Sequence, residues 1–332
     1  MIALSIKVSN ISKSFKTYNR TPGLKGAFKS FFNRQYIDFH ALKNINLNVD
    51  EGEILGILGE NGAGKTTLIK LMVGLLHPTS GNVNINNYIP WNRDNDFLKM
   101  ITIVMGQKNQ LWWDIPASES FLLNKRIYQI DDTNYNQILN EMVELLDVKD
   151  KLHTQVRRLS LGERMKMEII ASLLHKPKII MLDEPSLGLD VISQARIREF
   201  VKYYNEQYKA TFIITSHYMN DIDSMCERVF VMNKGRGLYD GNFSTLIKKI
   251  NPTKKLIYTF ETSPNDKIIK DLKTKFEFKL DNNILIAYLN DDLLNQLLQR
   301  LFQMCSPKSF LIEELPVEET MRSFFETPED YL

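Results

Sequence analysis

Residues 59–66 read Gly59-Glu60-Asn61-Gly62-Ala63-Gly64-Lys65-Thr66, and no other feature restricts this chain so strongly. The spacing is G-x-x-x-x-G-K-[ST]. Phosphate oxygens need many donors at close range. Glycines let the backbone curl until successive N–H groups point inward, and a following helix adds its positive N-terminal end. Lys65 supplies a mobile cation for the β- and γ-phosphates, and the Thr66 hydroxyl is a ligand for Mg²⁺. A short apolar strand, Glu53–Leu58, leads into the loop, and an apolar helix is expected from Lys65 to about Leu76. The bland alternative is a glycine-rich turn ahead of a helix. The flanking strand and helix weigh against it.

A second segment answers the first. Ile179-Ile180-Met181-Leu182-Asp183-Glu184 is an apolar run that ends in two acids. A buried strand presents Asp183 at its C-terminal edge, beside the phosphate loop, where it can hold the Mg²⁺ shell. Glu184 then stands where a carboxylate polarises an attacking water. Alone, a strand followed by an acid is common. Paired with the loop it is specific.

Composition bounds the rest. The chain has 332 residues, 43% of them hydrophobic and 25% charged, with a formal net charge of +2. That suits one large domain and one small one with a sizeable core, and gives no argument from charge for nucleic acid. Cys226 and Cys305 lie far apart and read as reduced, half-buried thiols. The N-terminus lacks the marks of a signal peptide, and no run reaches the ~18 apolar residues that cross a bilayer. His40, His77, His153 and His175 show no metal-ligand spacing.

Strand patterns recur at 2–15, 41–50, 82–85, 100–104, 178–182, 210–215 and 228–232, while Lys16–Phe39 reads as an irregular aromatic and basic insert. Between Ala117 and Lys176 the apolar period turns helical, through Ile138, Met142, Leu145, Met165, Ile169 and Leu173. The expected fold is therefore an α/β core with a helical subdomain inserted at about 117–177. The core domain is read as 1–248. From 249 to 332 a β-α-β-β-α-β-α order predicts a small α+β accessory domain.

Here a resemblance becomes specific. Leu159-Ser160-Leu161-Gly162-Glu163-Arg164 resembles the signature motif of ATP-binding-cassette (ABC) proteins, usually written LSGGQ. Gln107 falls where the family has its Q-loop, Ser186-Leu187-Gly188-Leu189-Asp190 is similar to its D-loop, and Thr215-Ser216-His217 to its switch histidine. With the two phosphate-site motifs, these follow the family's order across roughly residues 1–245. The resemblance implies a P-loop NTPase core of RecA-like type and ATP hydrolysis with Mg²⁺ as cofactor.

It also implies roles, residue by residue. Glu184, His217 and Gln107 would form the catalytic group. Thr66, Gln107 and Asp183 would hold Mg²⁺. Gly59, Asn61, Gly62, Gly64, Lys65, Thr66 and Thr67 would bind ATP. Ser160 and the Gly162 backbone would reach the γ-phosphate held by an opposite cassette, and Asp190 would cross that interface. Phe15 matches the aromatic that stacks on adenine, with Tyr18 and Phe39 as rivals. The signature departs from the family's pattern at Leu161 and Glu163, so the Leu161 side chain must point away from the nucleotide.

The strings VMGQKNQLWWDIPASESFLL, LSLGERMKMEIIASLLHKP and LDEPSLGLD, with the insert, resemble exporters of the drug and viologen type. That implies a dimer of cassettes on the cytoplasmic face of the membrane, a separately encoded transmembrane permease, and no nucleic-acid partner. Trp112 and Trp113 are candidates for the groove that receives the permease, and Gly23–Arg34 for a basic amphipathic helix at the membrane. The alternatives are a polysaccharide-export ATPase, whose sugar-binding version would carry an all-β tail, and a soluble ABC ATPase. The sequence names neither the cargo nor the tail's role.

Overall fold

The computed structural model describes residues 4–18, 36–106, 110–216, 219–250, 253–304, 306–314 and 317–326. They fall into two compact units, Met1–Phe243 and Ser244–Leu332, against a boundary at 248 read from the sequence.

The first unit opens on β1 (Leu4–Tyr18), where Ile6, Val8 and Ile11 are buried. β2 (Tyr36–Asp50) returns antiparallel, with Val8 opposite Leu47 and Phe15 opposite Phe39. The stretch Lys16–Phe39 is thus not irregular at its ends. Lys16 pairs with Asp38, Thr17 with Ile37 and Tyr18 with Tyr36, because aromatic and β-branched residues suit a ladder. The helix expected over Gly23–Arg34 lies outside the described residues.

β3 (Ile54–Leu58) is a buried apolar run that delivers the chain to the glycine-rich loop, and α1 (Lys65–Met72) follows it. The helix is shorter than expected. It stops at Met72, ahead of Gly74, whose φ is 73°. β4 (Ser80–Ile85) joins the other side of β1, which gives an antiparallel sheet ordered β2-β1-β4. α2 (Asn95–Met100) leads into β5 (Ile101–Met105). Then come α3 (Ala117–Ile127), α4 (Asp132–Leu145) and α5 (Leu161–Leu173), the helices of the 117–177 segment. β6 (Ile179–Asp183), α6 (Val191–Tyr208), β7 (Thr211–Ser216), α7 (Met219–Met225), β8 (Arg228–Asn233) and β9 (Arg236–Asn242) complete the unit.

The larger sheet runs β5-β6-β7-β3-β8-β9, parallel except at β9. Every residue of β6 and β7 is buried, as befits central parallel strands covered on both faces. Cys226 is fully rather than half-buried, and burial pushes its thiol pKa up. Cys305 lies outside the described residues.

His175, after α5, stacks on Tyr128 with ring centroids 3.8 Å apart. Burial pulls its pKa down from 6.5 to about 4. A base whose folded pKa is depressed adds stability above its unfolded pKa, and that stability is lost as pH falls from about 6.5 toward 4. Between pH 7.5 and 5 the wild-type chain is expected to lose about 2 kcal/mol through this group. His175→Phe keeps the stack and should lose that much less in urea titrations at the two pH values.

α8 (Phe243–Ile250) begins at the junction of the units. The second unit continues with β10 (Thr253–Phe260), α9 (Asp266–Lys273), β11 (Lys279–Asp281), β12 (Ile284–Asn290), α10 (Asp291–Met304), β13 (Pro307–Glu314) and α11 (Val317–Glu326). Its antiparallel sheet is ordered β11-β12-β10-β13. Leu256, Tyr258 and Phe260 alternate inward with Leu285, Ala287 and Leu289, and Leu294, Leu297 and Leu301 of α10 close over them.

Candidate functional site

The C-terminal ends of the parallel strands meet at one edge. Leu58 lies beside Ser216, Thr215 beside Asp183, and Asp183 beside Met105. Every segment that leaves these strands therefore emerges at the same place, the usual ligand edge of a parallel sheet. A cleft of about 410 Å³ opens there, lined by residues 60–67, Asp183 and Glu184 among others.

The loop's geometry follows from its glycines. Gly64 caps α1 at φ 106°, where a side chain is strained. A Cβ there would also lie 2.7 Å from the Ala41 carbonyl oxygen and 2.7 Å from Leu42 Cδ2. Lys65 is buried and its ammonium turns back on the loop. Nζ donates to the Gly59 carbonyl at 2.6 Å and the Glu60 carbonyl at 3.2 Å, and stands 3.8 Å from Glu184 Oε1. Burial lowers its pKa, and the negative charges of Glu184 and Asp183 oppose that shift.

Asp183 is buried and satisfied. Its carboxylate accepts from Thr66 Oγ1 at 2.9 Å and from Thr215 Oγ1 at 2.7 Å. Thr215 also receives the Glu184 N–H, on its hydroxyl at 3.0 Å and on its carbonyl at 3.1 Å. These bonds hold Glu184 at a left-handed φ of 54°, a conformation that costs about 1–3 kcal/mol without such support. The turn takes the Glu184 side chain out of the strand line and toward Lys65. Thr215 thus fixes both acids. Nothing local to the sequence marks its role.

The Thr66 hydroxyl and the Asp183 carboxylate set hard oxygen donors side by side at the cleft, as Mg²⁺ requires. That ion keeps few protein ligands and takes the rest from water and phosphates, so these residues fit it. Gln107 and His217 lie outside the described residues. The strands ahead of them, β5 and β7, end at this edge.

Phe15, expected to stack on adenine, does not line the cleft. Its ring sits under the Lys13 ammonium, 5.1 Å away. Phe39 lines the cleft in its place and is 53% exposed. β2 is the sheet's edge strand, and Phe39 and Ala41 alternate onto the face that looks into the cleft, whereas Phe15 is one strand further in.

Ser160, Gly162 and Asp190 form a separate cluster. Ser160 caps α5 in a reciprocal box. Its Oγ accepts the Glu163 N–H at 3.2 Å, and Glu163 Oε2 accepts the Ser160 N–H at 2.8 Å. The glutamate that replaces the family's glutamine therefore orders the signature. A Cβ on Gly162 would fall 2.3 Å from Ser193 Oγ, so α5 packs hard against the start of α6. Leu161 stands beside Gly188, 38% exposed. Asp190 caps α6, accepting from the Ser193 N–H at 2.9 Å and the Ser193 hydroxyl at 2.8 Å. Those hydrogen bonds hold its carboxyl below the usual range.

Two further buried acids carry no local signal in the sequence. Glu168 on α5 accepts the N–H groups of Gln110 at 2.9 Å and Leu111 at 3.2 Å, and burial raises its pKa. Asp221 accepts from Arg198 at 2.8 Å, from the Ser186 hydroxyl and from Ser216 Oγ at 3.5 Å. It ties α6 to the ends of the 186–190 segment and of β7. Both depend on partners remote in sequence.

A family model described as ABC transporter matches residues 42–187. ABC transporter ATP-binding protein NatA of Bacillus subtilis (strain 168) is 29% identical over 206 residues, 62% of this chain and 83% of that protein. Bacitracin transport ATP-binding protein BcrA of Bacillus licheniformis is 30% identical over 216 residues, 65% of this chain and 69% of that protein. The solved structure of cbiO1 from Clostridium perfringens, part of the ABC transporter complex cbiONQ, has a TM-score of 0.59 at 26% identity. It covers 75% of this chain and 94% of that one. With the glycine-rich loop and the paired acids at one sheet edge, and relatives of this kind over most of its first unit, the chain belongs to the ATP-binding subunits of ABC transporters.

Proposed function

We propose that this chain hydrolyses ATP to drive an exporter: two cassettes close head to tail around Mg·ATP and pull on a separate membrane-spanning permease at the cytoplasmic face. The observation that carries the reading is the grouping of Lys65, Thr66, Asp183 and Glu184 at a single cleft. Lys65 exchanges the loop carbonyls for phosphate oxygens, which offer full charge in a partly dry site. Thr66 and Asp183 would hold Mg²⁺, with Gln107 as a further ligand, and the ion when bound would neutralise phosphate charge. Glu184 orients water and takes its proton, and His217 would serve the γ-phosphate as the family resemblance implies. Phe39 offers its exposed ring to the adenine. Ser160 and Gly162 are absent from the cleft's lining, in keeping with their service to the nucleotide of an opposite cassette.

A groove of about 580 Å³ supports the coupling role. It is bounded by Leu75, Leu98, Ile103, Ile127 and Tyr128, with Gln110 at its wall. Ile127 is 60% exposed and Trp112, next along from Gln110 and Leu111, is 61% exposed. Among the described residues no helix is long and apolar enough to cross a membrane. The relative BcrA is named for bacitracin transport, which favours an exporter. The test is co-purification with a candidate multi-span permease co-expressed with this chain. Trp112→Glu and Ile127→Glu should each abolish recovery of that partner and leave the isolated subunit's ATPase rate unchanged. Loss of basal ATPase, or undiminished recovery, would overturn the assignment of the groove.

A further inference from the structure

β13 ends the sheet of the second unit, and among the described residues no strand pairs with its outer edge. Such an edge presents a row of unpaired N–H and C=O groups, which proteins commonly blunt with charge, proline or a bulge. Here the middle of the edge is Phe310-Leu311-Ile312, exposed by 48%, 52% and 40%. Three consecutive apolar residues make both faces of the strand apolar, because side chains alternate. Lys308 and Glu314 bracket them with opposite charges.

We propose that β13 pairs antiparallel with β13 of a second copy of this chain, with Leu311 opposite Leu311, so that two four-stranded sheets become one of eight strands. A two-fold axis perpendicular to the sheet returns each face to itself. Opposed residues must then share a face, so the axis passes through a residue pair and not between residues. Centred on Leu311, the register sets Phe310 against Ile312, Ser309 against Glu313 and Lys308 against Glu314, each twice. Centred on Phe310, it would set Lys308 against Ile312. Centred on Ile312, it would set Phe310 against Glu314. Only the middle register matches apolar with apolar and positive with negative. It also leaves the 3.0 Å pair between Lys255 and Glu313 in place. Phe302 of α10, 48% exposed and edge-to-face with Phe310 at 5.4 Å, widens the apolar strip on one face.

This contact needs no nucleotide, which separates its test from that of ATP-driven closure. The full-length chain without nucleotide is examined by sedimentation equilibrium, alone and with Lys65→Ala. Both are expected to be dimers of equal affinity. Lys308→Glu and Glu314→Lys each oppose like charges at two symmetric places and should weaken association about tenfold. The two changes together restore the pairing and should restore the affinity. In a Cys305→Ser background, Leu311→Cys should form a disulfide-linked dimer on mild oxidation. Directly opposed residues of an antiparallel pair have Cα atoms about 4.5–5.5 Å apart, within disulfide reach. A monomer without nucleotide overturns the proposal. So does a dimer indifferent to the single charge reversals, a double variant that fails to recover, or cross-linking in native membranes to a protein other than this chain.

Discussion

Replacing Glu184 with glutamine should lower ATP turnover by about 10²–10⁴-fold, the range for removal of a positioned general base, while ATP-bound dimers accumulate. The amide keeps the size and hydrogen-bonding reach of the carboxylate but cannot take a proton. It also removes a negative charge that faces the position of the γ-phosphate, which favours the closed state. Both effects act in the same direction, so at saturating ATP the closed dimer should be visible by size-exclusion chromatography in a Lys308→Glu background, where association without nucleotide is weakened. Asp183→Asn should behave differently. Its carboxylate accepts from Thr66 and Thr215 together, and an amide would turn a donor toward one of them. Binding itself should weaken. Unchanged turnover in Glu184→Gln would remove Glu184 from the catalytic role. Lost turnover without an ATP-dependent dimer would mean that closure needs the permease or that Leu161 weakens the contact across the interface. Adding the permease in membranes decides between those two outcomes.

Lys65→Ala should abolish ATP hydrolysis and weaken nucleotide affinity by about 10–10²-fold. A charge-assisted hydrogen bond contributes about 1.5–3 kcal/mol, and each 1.4 kcal/mol is tenfold. The loss has three parts in this structure. The phosphates lose a cation, the Gly59 and Glu60 carbonyls lose their donor, and Glu184 loses its positive neighbour at 3.8 Å. Isothermal titration with ATP and a steady-state phosphate-release assay measure the two effects separately. A variant that hydrolyses ATP at a near-normal rate would refute the placement of the phosphate site.

The parts of this protein that were legible in the sequence are the parts whose physics is local. The glycine-rich loop is one. Its conformation rests on positive φ at Gly62 and Gly64 and on a helix that starts at Lys65, all within a few residues. The β-α-β-β-α-β-α order of the second unit is another, because alternation in Leu256-Tyr258-Phe260 and a helical stripe in Leu294-Leu297-Leu301 each reveal themselves over one element. The paired acids Asp183 and Glu184 could be named because an apolar run ends on them. The signature's capping box is also written locally, as Ser160 followed three residues later by Glu163.

What only the tertiary structure decided depends on register between distant strands. Thr66 and Asp183 are 117 positions apart, yet they share a hydrogen bond because β3 and β6 both flank β7 and end level with it. No pattern within either segment encodes that alignment, which follows from packing the whole parallel sheet. The same holds for Thr215, which reaches across from β7 to fix both acids, and for Glu168 and Asp221, whose partners come from other elements. Phe39 and Phe15 make the point at the scale of one ladder. Both are aromatic and directly opposed, and composition cannot separate them. The order β2-β1-β4 puts Phe39 on the edge strand beside the loop and Phe15 one strand, about 5 Å, further in. Local conformation follows from each residue and its near neighbours, whereas the meeting of remote residues follows from where the strands end.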